Sequence, residues 1–418
     1  MYEKLRKEID RIKIVDDHAH PGLIMAMKEL QMPAEAMFPF DDVYSHPSTQ
    51  AYGFPYLEEL HYEAYEKFYG FSREDIDDPD QKEILAARYE ARKTADIKGL
   101  TEEIMAEAGV EYLMSNLCMP KALHESDRIG LVQSVDALLY PFDNSYLFGK
   151  PFGKLYLRQF EQYRELYRKE YHGKADMSYQ EYMEFADRVL TGLKAAGSVS
   201  YKLISAYVRT TCFKKYEEAL GETFYNQAKA GDHEAYTAFQ DIMAWYIFRK
   251  AAILDMPIQV HMAMIDGDAE FTNPLNFTAL TMDEIACKTK LVILHCAYPR
   301  FHEMTVLALA AKLFHKNCVY IDLSGRVMFG NHPRVIAKNI RDWLDYPGIW
   351  DKLVYGSDCL FGERVIYTAA RTARDAVYYA LESALEDELF TEEVAIKLAK
   401  GILRNNAIDL YQLPLQKA

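Results

Sequence analysis

Residues 14–20 read Ile14-Val15-Asp16-Asp17-His18-Ala19-His20, a short apolar segment that runs directly into two histidines. In an extended strand, side chains at positions i and i+2 lie on the same face. The imidazoles of His18 and His20 are therefore predicted to face one point, which suits a divalent metal. A lone pair of this kind more often has a structural role, so the prediction depends on ligands from the rest of the chain.

Similar apolar segments recur along the sequence, at residues 110–116, 135–140, 198–207, 257–261, 291–295, 318–324 and 353–358. Short, nearly continuous apolar segments are typical of strands buried on both faces of a parallel sheet. Eight such strands alternating with helical sequence predict an α/β fold, a (β/α)8 TIM barrel, with residues 1–418 as one domain. Two helical, aromatic-rich insertions are expected, at about 23–108 and 144–195. They could form a lid over the barrel mouth or an oligomer interface.

Polar residues stand at the ends of four of these segments. His18 and His20 end the first, His261 the fifth, His295 the sixth and Asp358 the eighth. Catalytic side chains of such barrels project from the carboxyl ends of the strands, so these five residues indicate one site. Imidazoles and a carboxylate suit Zn²⁺, with Mn²⁺ or Fe²⁺ as alternatives. Asp358 could bind the metal, or act as general base and then acid on a metal-activated water.

These residues resemble the amidohydrolase superfamily, specifically its amidohydrolase-2 branch, over nearly the whole chain. The matching motifs are Asp17-His18-Ala19-His20-Pro21, Pro257-Ile258-Gln259-Val260-His261, Leu294-His295-Cys296-Ala297-Tyr298-Pro299 and Gly356-Ser357-Asp358. Further stretches are similar to the amidohydrolase-like half of fungal and plant glutamine-synthetase-like fusion proteins, namely Asp266-Gly267-Asp268, Asn273-Pro274-Leu275 and Asn405-Asn406-Ala407-Ile408-Asp409-Leu410-Tyr411. The resemblance implies a metal-dependent enzyme of hydrolase type.

The resemblance also implies roles for individual residues. His18, His20 and His261 would be metal ligands, and Asp358 would be both a ligand and a proton shuttle. His295 would either bind a second metal or, in a mononuclear enzyme, polarise the substrate as a catalytic group. One divalent ion is expected, with Zn²⁺ favoured, and a second ion stays open.

Lys202 has three interpretations. Some members of the superfamily carry a carboxylated lysine at the end of strand four, where it bridges two metals. Lys202 lies inside its apolar segment, however, which favours a single metal. It could instead pair with a carboxylate such as Asp358 or Asp322, or bind an acidic substrate together with Tyr207 and Arg209, because an arginine can hold a carboxylate through two hydrogen bonds.

Other residues near the strand ends are weaker candidates. Arg326 follows the seventh segment and is predicted to bind substrate, with Ser324 and Asp322 beside it. Asp266 and Asp268 follow His261 closely, but Asp-Gly-Asp is also ordinary turn chemistry.

The composition excludes several classes of partner. The 418-residue chain has a formal net charge of −15 and lacks basic clusters, which makes it unsuited to nucleic acid or to anionic membranes. Its charged amino-terminal segment and its lack of a long apolar run predict no membrane association. Six scattered cysteines indicate free thiols in a reducing cytoplasm. The expected partner is a small-molecule substrate, and homo-oligomerisation stays open.

Four functions are compatible with this pattern. The leading one is metal-dependent hydrolysis of a C–N, amide-like bond in a small substrate, which the cationic candidates suggest is acidic. A metal-dependent non-oxidative decarboxylase, which is a lyase, is the alternative from another reaction class. A uronate-type isomerase and a non-catalytic binding barrel are the remaining two.

Overall fold

The computed structural model describes residues 2–37, 55–150, 152–263, 270–315, 318–325, 330–360 and 362–418. The described residues form one eight-stranded sheet in which the strands follow chain order. The strands are β1 (Ile14–Ala19), β2 (Val110–Leu117), β3 (Ile129–Ser134), β4 (Ser200–Leu203), β5 (Ile258–Val260), β6 (Leu291–Ile293), β7 (Val319–Leu323) and β8 (Leu353–Tyr355). Their parallel pairing and the helices between them confirm the predicted (β/α)8 barrel class.

Helices connect the strands. Within the described residues they are α1 (Glu3–Arg11), α2 (Leu23–Glu29), α3 (Pro55–Tyr69), α4 (Arg73–Asp77), α5 (Lys82–Ala95), α6 (Ile97–Ala108), α7 (Gly153–Glu170), α8 (Tyr179–Ala195), α9 (Gly221–Lys229), α10 (His233–Ile253), α11 (Thr278–Thr281), α12 (Phe301–His315), α13 (Pro333–Leu344), α14 (Arg364–Glu386), α15 (Glu392–Lys400) and α16 (Asn406–Tyr411). None of the helices described here is both long and apolar enough to cross a membrane.

The contacts within the chain divide it into two compact units. The first unit comprises Met1–Glu29, Pro39–Gly130 and Asp322–Ala418, and the second comprises Leu30–Phe38 and Leu131–Ile321. The organisation of residues 1–418 as a single domain stays a prediction.

In the first unit, β1 pairs with β2 in parallel, and every residue of β1 is buried. Helix α6 ends at Gly109, which adopts φ +65° and leads directly into β2. A left-handed residue at this position favours glycine, because a side chain there is strained against its own backbone. This turn brings the amino-terminal end of β2 beside Ile14, whose N–H donates to the Gly109 carbonyl at 2.8 Å.

In the second unit, the strands from β3 to β7 pair in order, and Ser134, Lys202 and Gln259 lie at corresponding positions on β3, β4 and β5. The third strand differs from the sequence prediction of 135–140, since β3 covers Ile129–Ser134 and residues 136–138 form a single 3₁₀ turn. The reason is Asp136, which interrupts the apolar segment. Its two carboxylate oxygens accept the Ile204 N–H at 3.0 and 2.9 Å, and Oδ1 accepts the Ser205 hydroxyl at 2.6 Å. The chain therefore turns after β3.

Both predicted insertions contain helices with aromatic clusters. The first includes helices α2 to α6. There the ring centres of Tyr69 and Tyr89 lie 4.6 Å apart, and the Tyr65 ring stacks on the Phe71 ring with 5.9 Å between their centres. The second includes α7 and α8. Residues 38–54 of the first insertion lie outside the described residues.

Candidate metal centre and active site

Three of the predicted metal ligands come together in the first unit. His18 and His20 lie at the carboxyl end of β1, and Asp358 follows β8, where its backbone N–H donates to the His18 carbonyl at 2.7 Å. The Nε2 atoms of both imidazoles lie 3.3 Å from the same oxygen, Oδ1 of Asp358. Both histidines are buried, whereas the Asp358 side chain is 18% exposed.

The separations in this cluster fit a metal site. Zn²⁺ binds imidazole nitrogen and carboxylate oxygen at about 2.1 Å, so two ligands of a tetrahedral ion lie about 3.4 Å apart. The two Nε2–Oδ1 distances of 3.3 Å match that value. One ligand atom from each of the three residues lies within 4.8 Å of the others. Two imidazoles and one partly exposed carboxylate could therefore hold a divalent ion and leave a position open to solvent.

A layer of buried carboxyl groups lies beside these ligands. Asp17 and Asp322 share a hydrogen bond, and the Tyr411 hydroxyl donates to Asp17 Oδ2 at 3.0 Å. Burial raises the pKa of Asp17 well above its ordinary value, and the charge of Asp322 raises it further. Burial also raises the pKa of Asp16 to about 7, although Asp16 accepts the Ser357 N–H at 2.9 Å. Two neighbouring buried carboxyls cannot both ionise easily, so this arrangement favours one proton shared by Asp17 and Asp322.

Gly356 makes the close approach of β8 to this layer feasible. A Cβ atom at this position would lie 2.6 Å from His18 Cβ, 2.9 Å from Asp322 Oδ2 and 3.0 Å from Asp17 Oδ1. Those distances are shorter than van der Waals contact, so only glycine fits between His18 and the carboxyl pair.

The second unit brings together His261, His295 and Tyr207. His261 follows β5, and its Nδ1 lies 3.1 Å from Nε2 of His295. The Tyr207 ring stacks on the His261 ring at 4.2 Å, and its hydroxyl lies 3.5 Å from the same Nδ1. Tyr156 of α7 stacks on the other side of Tyr207, also at 4.2 Å. A residue of the second insertion therefore holds Tyr207 against His261.

Lys202 is buried near the end of β4. Its positive charge acts on the buried carboxylate of Asp136, where it lowers a pKa that burial raises to about 6. This electrostatic interaction fits the interpretation of Lys202 as a lysine that pairs with a carboxylate, and its pairing with Asp358 or Asp322 stays a prediction.

Arg209 is held by other protein groups. Its Nη2 donates to the buried carboxylate of Asp241, its Nη1 donates to Gln240 Oε1 at 2.8 Å, and its guanidinium lies 5.1 Å from the Phe213 ring centre. These contacts favour a structural role, and substrate binding by Arg209 stays a prediction. Arg326, Asp266 and Asp268 lie outside the described residues.

Sequence reasoning missed the residues that support the site. Tyr411, Tyr156 and Asp136 contact Asp17, Tyr207 and the end of β4, respectively. Tyr411 does stand in one of the motifs quoted above, and Asp136 carries the signal of a charged residue within an apolar segment.

Comparisons with known proteins agree with this architecture. The sequence profile of the Amidohydro_2 family, described as amidohydrolase, matches residues 156–413. No curated protein sequence matches the chain. A solved structure from Lactobacillus casei, described as a metal-dependent hydrolase, has a TM-score of 0.63 at 16% identity and covers 98% of this chain and 97% of its own.

Two further solved structures share the fold. The uronate isomerase of Thermotoga maritima has a TM-score of 0.66 at 11% identity, with 98% of this chain and 96% of that chain covered. The glucuronate isomerase of Caulobacter crescentus has a TM-score of 0.66 at 13% identity, with 99% and 94% covered. Identities this low show a shared fold alone. The profile match, which spans more than half of the sequence, shows that the chain belongs to the amidohydrolase family.

Proposed function

We propose that this protein is a metal-dependent hydrolase that cleaves a C–N, amide-like bond in a small acidic substrate, with one divalent ion, Zn²⁺, bound by His18, His20 and Asp358. The observation that carries the proposal is the pair of buried imidazole nitrogens, each 3.3 Å from one carboxylate oxygen. His261 is proposed as a further ligand. A divalent ion in such a site lowers the pKa of a bound water and so supplies a nucleophile near neutral pH.

Asp358 is proposed to move the proton of the reaction. Its Oδ1 atom faces both imidazoles, so a proton taken from the attacking water would be held on Oδ2. The same carboxyl could then protonate the leaving nitrogen, which is the general base and acid sequence expected of a group that contacts solvent. The partial exposure of its side chain is compatible with this task.

The contact between His261 and His295 restricts the proton positions. A neutral imidazole carries one N–H, and only its other nitrogen can bind a metal. If Nδ1 of His261 donates to Nε2 of His295 across the 3.1 Å contact, Nε2 of His261 keeps a lone pair for the ion. The proposed ligand role of His261 therefore requires His295 to be the acceptor, with its own proton on Nδ1. His295 would then polarise the substrate or orient His261.

Substrate recognition is assigned to residues of the second unit and to Arg326. Lys202 and Tyr207 are proposed to bind the substrate, with Lys202 supplying the charge that selects an acidic group. Arg209 and Arg326 are also proposed to bind the substrate, as the sequence predicts. A cytoplasmic location, homo-oligomerisation and the likeness to glutamine-synthetase-like fusion proteins also stay predictions.

A uronate-type isomerase is the second candidate. Two solved isomerases, of Thermotoga maritima and Caulobacter crescentus, share the fold over almost their full lengths, which makes this reaction worth testing beside hydrolysis. A decarboxylase would need the same metal ion, and its product, CO₂, would distinguish it from a hydrolase and from an isomerase.

Metal binding is the first test. Elemental analysis of the purified protein should give about one divalent ion per chain, since the cluster offers one set of ligands. His20→Ala and Asp358→Asn should lose the ion, whereas His302→Ala, which removes an exposed histidine of α12, should retain it. Full occupancy in the His20→Ala and Asp358→Asn variants would contradict the proposed site.

Product analysis is the second test. The metal-loaded protein should release ammonia or amine from members of an amide library that carry a carboxylate. Release of CO₂ would assign a decarboxylase, and interconversion of an aldose and a ketose uronate would assign an isomerase. Either of these results would contradict the hydrolase while leaving the metal site intact.

A further inference from the structure

A second site candidate lies in the first unit, at the opposite end of β1 from the histidines. A cavity of about 440 Å³ is lined by Lys13, which directly precedes β1, by Gly109, which directly precedes β2, and by Arg6, Arg371 and Arg374. A strand rises about 3.3 Å per residue, so Lys13 and His18 are separated by about 17 Å along β1. The cavity is therefore distinct from the proposed metal centre.

Its lining is cationic, although the whole chain is acidic. Four cations, Arg6, Lys13, Arg371 and Arg374, outnumber two acidic groups, Asp10 and Glu107. Glu107 pairs with Lys67 at 2.6 Å, outside the lining. Arg6 pairs with Asp10 at 3.2 Å and with Asp375 at 2.6 Å. The acidic groups near the cavity are thus already engaged.

Arg374 is the unusual member of this group. It is 6% exposed, and its guanidinium donates to three backbone carbonyls, those of Ala108 at 2.9 Å, Ala370 at 3.3 Å and Ile12 at 3.0 Å. Its buried Nε has no hydrogen-bond partner, and Arg374 forms no ion pair with any described residue. Burial lowers its pKa, and the weaker effects of the neighbouring charges oppose one another, since Tyr355 and Asp10 raise this pKa whereas Arg371 and Arg6 lower it. A buried guanidinium without a counter-ion is costly unless an anion compensates its charge.

Two further cations are available to such an anion. Lys13 is exposed and makes no ion pair within the described part of the chain. Arg371 donates to the Tyr367 hydroxyl at 2.8 Å and lies 3.5 Å from Glu63, so its pairing is loose and solvent-exposed. Lys13 and Arg374 thus carry two positive charges that form no ion pair among the described residues, and together they match the charge of one dianion.

We propose that this cavity binds a phosphate dianion, either inorganic phosphate or the phosphate group of a small monoester. Arginine guanidinium groups match the several oxygens of a phosphate, and Lys13 adds a mobile point charge. A dicarboxylate divides its two negative charges between two separate groups, whereas a phosphate dianion carries both on one compact group, which is why phosphate is preferred. Because sites at the amino-terminal end of barrel strands contribute to stability and not to chemistry, the bound anion would stabilise the fold by mass action.

Calorimetric titration of the full-length, metal-loaded protein at constant ionic strength tests the proposal. Inorganic phosphate, glycerol 3-phosphate and malonate are titrated separately, with chloride keeping the ionic strength fixed. Phosphate or the monoester should bind saturably and raise the unfolding temperature. Loss of one charge-assisted contact in Lys13→Glu or Arg371→Gln should weaken binding about tenfold or more.

The matched control is Lys7→Glu. This residue lies on the same helix as Arg6, undergoes the same change of charge as Lys13 and does not line the cavity. Phosphate binding that is weakened by Lys13→Glu but not by Lys7→Glu would support the site and would exclude phosphate held at the metal. No saturable binding, equal effects of the two lysine variants, or tighter binding of malonate than of either phosphate would overturn the proposal. Arg374→Lys, which retains the charge, should fold and bind more weakly than the wild type.

Discussion

The clearest perturbation available in this structure is Asp136→Asn. Asp136 is fully buried and accepts hydrogen bonds from Ile204, Ser205 and Ser134. Burial nevertheless dominates and raises its pKa from 3.8 to about 6. The folded chain therefore holds this proton more tightly than the unfolded chain does. The resulting stabilisation is complete below about pH 4 and is lost as the pH rises through about 6.

The magnitude follows from the two pKa values. A shift of one unit corresponds to 1.36 kcal/mol, so the rise of the Asp136 pKa to about 6 is worth about 3 kcal/mol. Asparagine has nearly the same shape and does not titrate. Because pH 4 already lies slightly above the ordinary pKa of 3.8, the difference in the free energy of unfolding, Asp136→Asn minus wild type, should increase by about 2.5 kcal/mol between pH 4 and pH 7. Taking this difference cancels the titration of other buried carboxyls, such as Asp16.

The assay is denaturant unfolding of both proteins at pH values from 4 to 7.5. Asp143→Asn serves as the control, since hydrogen bonds from Ser145 lower the pKa of this exposed carboxylate. For Asp143→Asn, the difference in the free energy of unfolding from wild type should therefore change only slightly as the pH rises, and it should decrease. A stability difference for Asp136→Asn that stays constant across this range would refute the argument that burial controls the titration of Asp136.

Two further predictions concern buried packing. Arg209→Met should destabilise the protein by about 3–5 kcal/mol, because it leaves the Asp241 carboxylate buried without its cation; adding Asp241→Leu should restore most of that loss in denaturant unfolding. Unchanged stability with an increased KM would instead assign Arg209 to the substrate. Gly109→Ala should cost more than Gly70→Ala, because both glycines have φ +65° but only the Cβ at 109 would meet Arg374 Nη2, at 2.7 Å. Thermal unfolding of the two variants measures the difference, and equal losses would show that backbone strain alone is responsible.

Much of the fold follows from local sequence. Short apolar segments predicted the strands, because a parallel strand buried on both faces needs apolar residues at successive positions. The third strand was misplaced by six residues because 135–140 is apolar on both sides of Asp136, and the hydrogen bonds that make Asp136 end the strand come from residues 204 and 205. Local patterns do not contain such partners.

The candidate site, like the fold, contains contacts that the sequence predicts and contacts that it does not. The proximity of His18, His20 and Asp358 was predictable, because each lies at or just beyond the carboxyl end of a strand and parallel strands end at one edge of the sheet. The Asp17–Asp322 pair was not, since nothing in either segment specifies the other. Arg209 likewise has a partner that local sequence does not predict, because its guanidinium contacts Asp241, which lies on a helix 32 residues later.

The hydrogen bond from Tyr411 to Asp17 has a consequence for biosynthesis. The two residues are 394 positions apart, and Asp17 immediately precedes the first histidine of the proposed metal centre. A ribosome that adds about 5–20 residues per second makes Tyr411 roughly 20–80 s after Asp17. For most of that interval Asp358 has not yet been synthesised, and Tyr411 is absent until the end of it. The nascent chain therefore carries an incomplete ligand set through almost all of its synthesis, and the metal centre is expected to assemble as one of the last events of folding.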